Sequence, residues 1–134
     1  MPSSRYRTPS SLPDGGVLVV GASASGVQIS DELARAGRQV VLAVGRHTRM
    51  PRRYRGRDIH YWLDRTGILA RPLHDLRNES AARYDPSLQL AGGTEPLDLG
   101  TLADEGVRLA GRVARLAGTH VEFANDLATS VADA

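Results

Sequence analysis

The apolar pattern is densest in the first third of the chain. Val17-Leu18-Val19-Val20 is a short continuous run, the pattern of a strand buried on both faces of a parallel sheet. A turn of small residues, Gly21 to Gly26, follows it. From about Gly26 to Ala36 the spacing predicts a helix, with Ile29, Leu33 and Ala36 on one face and Asp31, Glu32 and Arg35 mostly toward water. Gly37 is a natural stop, and Gln39 to Val44 predicts a second apolar strand. Two such runs joined by one helix predict adjacent, parallel strands.

Beyond Val44 the pattern weakens. Arg46 to Arg57 is basic, is broken by Pro51 and Gly56, and reads as irregular. Asp58 to Arg65 predicts a short helix with Ile59, Trp62 and Leu63 inward, closing at Gly67. Residues 70–86 show no clear period and read as loop with at most a helical turn. Ser87 to Ala91 predicts a strand and Leu97 to Asp104 a helix. Val107 to Leu116 and His120 to Phe123 predict a hairpin about Gly118-Thr119, and Asp126 to Ala134 the start of a helix. Residues 1–16 hold three Pro and two Gly and predict a linker or extended lead-in, leaving 17–134 as an α/β domain.

Composition narrows the chemistry. The 134 residues give room for one modest core. Cysteine is absent, which excludes disulfides, thiolate metal sites and cysteine nucleophiles. The polar N-terminus is not a secretory signal, and no apolar run approaches the roughly 18 residues that span a bilayer, so a soluble cytoplasmic protein with no membrane partner is expected. All seventeen basic residues are Arg, yet the net charge is only +2, too small to argue for nucleic acid. The six arginines between Arg46 and Arg57 surround Tyr54 without any nucleic-acid motif and read better as a basic loop. His47, His60, His74 and His120 lack metal-ligand spacing and a carboxylate partner pattern, so no metal site and no catalytic base is expected among them. Ser23 and Ser25 do not form a nucleophile elbow, and Tyr61 with Trp62 reads as helix packing.

The informative stretch is VLVVGASASGVQISDELARAGRQVVLAVGR. A dinucleotide-binding turn needs a tight bend after its first strand, close backbone approach to a pyrophosphate, and close packing of helix on strand. Gly21 supplies the bend and Gly26 the packing contact. The helix N-terminus beginning near Ser25 offers free amides and a positive dipole end. Ser23 stands where the middle glycine of the pattern is expected and is small enough to permit approach. Gly21, Ala22, Ser23, Ala24, Ser25 and Gly26 are therefore the candidate pyrophosphate cradle, in a Rossmann-like βαβ unit. The end of the second strand normally selects the cofactor: an acid holds the ribose hydroxyl of NAD(H) or FAD, whereas Arg accommodates the 2′-phosphate of NADP(H). Here Arg46, His47, Thr48 and Arg49 follow the strand, with no acid until Asp58. Arg46 offers a planar fork to phosphate, so NADP(H) is the expected cofactor.

These residues resemble the NADPH-binding half of class B flavoprotein monooxygenases, the flavin-containing and Baeyer–Villiger-like group. The stretches GASASGVQI, GRHTR and PRRYRGRD are similar to those of bacterial flavoproteins of this kind, over about residues 3–67. The resemblance implies an α/β oxidoreductase in which NADPH reduces FAD and the reduced flavin activates oxygen. Ser3-Ser4-Arg5-Tyr6 resembles the tail of that group's monooxygenase fingerprint, but Pro2 stands where its His is expected. The glycine fingerprint for FAD and a later Ala-Thr-Gly turn are both absent. The expectation is a truncated member: an NADP(H)-binding module with a C-terminal β-hairpin, which positions NADPH for hydride transfer to FAD supplied by another segment or subunit. Alone, such a chain is expected neither to retain FAD nor to turn over. The alternative is a stand-alone nucleotide-binding or regulatory module.

Overall fold

The computed structural model describes residues 1–72, 87–92, 95 and 97–134; the expected loop at 70–86 lies almost wholly outside them. The fold is α/β, built on a three-stranded parallel sheet. β1 (Val17–Val20) leads through α1 (Ala24–Arg35) to β2 (Val40–Ala43), and the two strands pair in parallel from Val17↔Val40 to Val20↔Ala43. The ladder continues beyond the strand ends, with the Val17 amide donating to Gln39 O and the Gly21 amide to Ala43 O.

Three smaller pieces follow. β3 (His47–Arg49) pairs in parallel with β6 (Ser87–Gln89). β4 (Arg53–Tyr54) and β5 (Arg57–Asp58) form a tight antiparallel hairpin that runs into α2 (Ile59–Arg65). The Arg46–Arg57 segment expected to be irregular therefore carries three short strands. Its β3 is fixed by a partner some forty residues away, which local periodicity cannot report. α2 follows the expectation: Asp58 caps it by accepting from the His60 amide at 2.9 Å, and Gly67 takes the left-handed conformation after its end.

α3 (Leu99–Asp104) is capped by Asp98, which accepts from the Thr101 amide at 3.0 Å. The expected long hairpin from Val107 is divided. β7 (Arg108–Ala110) joins the central sheet parallel to β2, giving the order β1-β2-β7. Only β8 (Val113–Ala117) pairs with β9 (His120–Phe123). The division falls at Gly111, where a methyl group would stand 2.0 Å from Ala124 O and 2.5 Å from Asp126 Oδ1. That approach turns the chain out of the sheet and into the hairpin. α4 (Leu127–Ala132) closes the chain.

The core joins Val27 and Leu33 of α1, Val40, Leu42 and Val44 in and after β2, and Leu99, Leu102 and Val107 around α3. β2 is the buried central strand. β1 is not buried on both faces as expected: Val17, Leu18 and Val19 are half-buried and Val20 is 68% exposed, and among the described residues the strand lies at the edge of the sheet. The buried line of α1 is Gly26, Val27, Ser30 and Leu33, with Ile29 half-buried and Ala36 exposed, a rotation from the expected face. Gly26 sets that rotation, because its Cα is pressed against the Gly21 carbonyl.

Residues 1–16 lie against this sheet. They form two single 3₁₀ turns, Ser3–Arg5 and Pro9–Ser11, and Tyr6 and Leu12 pack on the core. The Arg38 guanidinium, just beyond α1, binds the carbonyls of Pro9 (3.3 Å), Pro13 (2.5 Å) and Gly15 (2.8 Å). One side chain thus satisfies three carbonyls of an otherwise irregular segment. No helix among the described residues is long and apolar enough to cross a membrane.

Candidate functional site

The parallel register brings three strand ends to one edge. Gly21 follows β1, Val44-Gly45-Arg46 follows β2 and Gly111-Arg112 follows β7, since Val20, Ala43 and Ala110 are aligned across the sheet. In open α/β sheets, ligands bind outside the carboxyl ends of the strands. The candidate residues from the sequence therefore leave the sheet on the side where a ligand is expected.

The turn between β1 and α1 is built on two glycines with distinct constraints. Gly21 has φ +99°, a conformation that side chains with a Cβ rarely adopt. A methyl group on Gly26 would stand 1.9 Å from the Gly21 carbonyl oxygen, so helix and turn meet at van der Waals distance only without one. Ser23 occupies the N-cap of α1, yet its hydroxyl makes no cap bond. The first helical amide with a partner is that of Val27, which donates to Ser23 O at 3.1 Å. The amides of Ala24, Ser25 and Gly26 consequently have no protein acceptor among the described residues, as the first turn of any helix requires of an outside group. Gly21, Ser23, Ser25 and Gly26 line a groove of about 400 Å³ with β1, Tyr6 and Leu12, within the range of small-molecule sites. Ala22 is buried and Ala24 half-buried beside it. Amides without an acceptor among the described residues, at a helix N-terminus with no room for a Cβ at Gly26, are an arrangement that can bind an anion.

The residues after β2 separate. Arg46 is exposed and has no hydrogen-bond or ion-pair partner among the described residues. With His47 it lines a cavity of about 280 Å³ shared with Arg112, Asp126, Thr129, Ser130 and Asp133. His47 is buried, and its Nδ1 lies 3.0 Å from Gly45 O. Thr48 is exposed. Arg49 is paired with Asp98 and faces a different cavity, of about 210 Å³, with Pro51, Arg52 and Arg53. The Thr101 amide, and then Arg49, hold the Asp98 carboxyl below its ordinary range. Of the two candidate arginines, Arg46 is the one whose guanidinium has no partner among the described residues.

The basic hairpin is tied to itself. Asp58 accepts from Arg52 Nε at 2.6 Å and lies 2.9 Å from His60 Nδ1, a carboxylate partner that the sequence pattern did not reveal. The His60 amide, the His60 ring and Arg52 together bring the Asp58 carboxyl down to about 2. Trp62 donates its indole N–H to Tyr54 O at 2.9 Å and meets Tyr61 edge-on, so these rings pack locally.

Sequence reasoning missed Gln89. Its side chain is buried, and its Nε2 donates to Ala22 O at 2.8 Å, inside the glycine turn. Its backbone lies beside Arg49 in the β3–β6 ladder and accepts from the Met50 amide at 3.3 Å. Gln89 thus joins the turn after β1 to the segment after β2. No local spacing announces a bond between residues 67 positions apart.

The chain is similar to an uncharacterized oxidoreductase described as CzcO-like from Geobacillus kaustophilus, with 44% identity over 68 residues. The match covers 50% of this chain and 19% of the relative, so the chain spans about a fifth of that protein's length. No family model matches the chain. No solved structure matches it either.

Proposed function

We propose that this chain is an NADP(H)-binding module of a flavin-dependent oxidoreductase, with a Rossmann-like βαβ unit as its binding core. The observation that carries the reading is the pairing of two features at one sheet edge. The glycine turn offers amides without a protein acceptor among the described residues at the N-terminus of α1. The strand beside it runs into Arg46, which has no ion-pair partner among the described residues and no acid following it in sequence until Asp58. A pyrophosphate fits the first feature through backbone hydrogen bonds and the helix dipole. A 2′-phosphomonoester fits the second through the guanidinium fork. The similarity to a protein named as an oxidoreductase supports the same class.

In this reading Gly21 and Gly26 hold the chain clear of the pyrophosphate, and the amides of Ala24, Ser25 and Gly26 bind it. Arg46 selects the phosphorylated ribose, and Thr48 stands exposed beside it. A bound nicotinamide would supply hydride chemistry, with a flavin as its acceptor in this reading. The residues of this chain bind and orient; none is assigned an acid, base or nucleophile. The test is calorimetric titration with NADPH and NADH of the wild type and Arg46→Asp. NADPH is expected to bind about tenfold to a hundredfold more tightly, the worth of a charge-assisted bond. The variant is expected to lose that preference. Equal affinities in the wild type would overturn the reading.

A further inference from the structure

The cavity beside Arg46 is lined by a second arginine, on the neighbouring strand end. Arg112 follows β7 directly after Gly111 and is held at both ends by one carboxylate. Asp126 Oδ1 accepts from the Arg112 amide at 3.0 Å, and Asp126 Oδ2 accepts from Arg112 Nε at 2.6 Å. The second bond engages the inner edge of the guanidinium through Nε. Its two terminal nitrogens have no partner among the described residues. The stem is placed too: a methyl group on Gly45 would lie 3.5 Å from Arg112 Cγ, so the side chain lies over the backbone just before Arg46.

Two guanidiniums from adjacent strand ends therefore face one space of about 280 Å³. Asp126 offsets the charge of Arg112, whereas Arg46 is left uncompensated among the described residues. Asp133, at the far end of α4, is the other carboxylate lining the cavity, and the Thr129 and Ser130 side chains complete that wall. A dianionic phosphomonoester with three terminal oxygens matches two convergent forks better than one.

We infer that Arg112 is a second specificity-determining residue, gripping the 2′-phosphomonoester of the dinucleotide together with Arg46, and that Asp126 is the positioning residue that aims it. The inference rests on the NADP(H) reading but concerns different residues. Asp126 acts only by fixing Arg112, so its loss loosens the fork without removing a ligand contact.

The experiment uses adenosine 2′,5′-bisphosphate and adenosine 5′-monophosphate as probes, titrated calorimetrically into the wild type, Arg112→Gln, Arg112→Lys and Asp126→Asn. The wild type is expected to prefer the bisphosphate. Arg112→Gln is expected to weaken the bisphosphate about tenfold or more while leaving the monophosphate unchanged. Arg112→Lys restores part of the difference through charge without the fork, and Asp126→Asn gives a smaller loss than Arg112→Gln. Unchanged affinity for the monophosphate shows that each variant is folded, and Arg112→Lys carries the test if Arg112→Gln does not fold. A wild-type preference kept in full by both Arg112 variants overturns this inference and leaves the Arg46 reading standing. No wild-type preference overturns both.

Discussion

Replacing Gly26 with alanine sets two physical effects against each other. Gly26 lies in the first turn of α1, and by helix propensity alone alanine would stabilise it by about 0.5–1 kcal/mol. The packing argues the reverse. The new methyl group would stand 1.9 Å from the Gly21 carbonyl oxygen, where contacts shorter than 3.0 Å are essentially never seen. Helix and turn must separate by about 1.1 Å, and the obstructing atom is backbone, which cannot swing aside as a side chain does. Overpacking of this kind costs about 1–3 kcal/mol, and a rigid neighbour puts this site at the upper end. The net loss is about 2 kcal/mol, a fall in melting temperature of about 6–10 °C for a chain of this size. Nucleotide affinity should fall as well, because the displaced atoms belong to the proposed cradle. Differential scanning calorimetry with and without NADPH reads both effects. A variant that melts at or above the wild-type temperature and binds NADPH normally would refute the close approach and the role built on it.

Other perturbations reach separate parts of the fold. Arg38→Ala releases the carbonyls of Pro9, Pro13 and Gly15, and limited proteolysis should then cleave residues 7–16 faster while the sheet stays intact. The Asp58 carboxyl is brought down to about 2 from its ordinary 3.8, so its contribution to stability is fully present above pH 4 and is lost as pH falls toward 2. NMR titration of its carboxyl carbon should show the low midpoint, with fraying of α2 over the same window. Gln89→Leu leaves Ala22 O buried and unpaired, and urea denaturation should show a loss of about 1–3 kcal/mol.

The unit from β1 through α1 to β2 was legible because its signals are local. An apolar run, a glycine pair five positions apart and one amphipathic turn fix the elements, and their parallel pairing follows from the crossover between them. α2 and α3 were legible for the same reason, each with an Asp at its cap. What local pattern could not give is pairing at a distance. β3 is a strand because β6 lies beside it, and Arg108–Ala110 belongs to the central sheet because Gly111 turns against Ala124. Nor could apolar continuity show that β1 has a neighbour on one side only among the described residues. The sequence put Arg46 forward as the phosphate fork with Arg49 in support, but it could not show that Asp98 claims Arg49 while no described residue claims Arg46. Arg112 and Gln89 were invisible for the reason β3 was: each is defined by partners on other elements.

The link made by Gln89 has a consequence for how a long ligand is held. In the proposed reading, NADP(H) is a bivalent ligand, with its pyrophosphate assigned to the turn after β1 and its phosphomonoester to the segment after β2. Once one end is seated, the other binds at an effective concentration set by how rigidly the two half-sites are spaced. Gln89 fixes that spacing, with its side-chain amide on Ala22 and its backbone beside Arg49 and Met50. Loosening it should leave the affinity for each half of the ligand nearly unchanged while the affinity for the whole falls. The lost quantity would be the avidity between the two contacts, which a titration with fragments alone would never register.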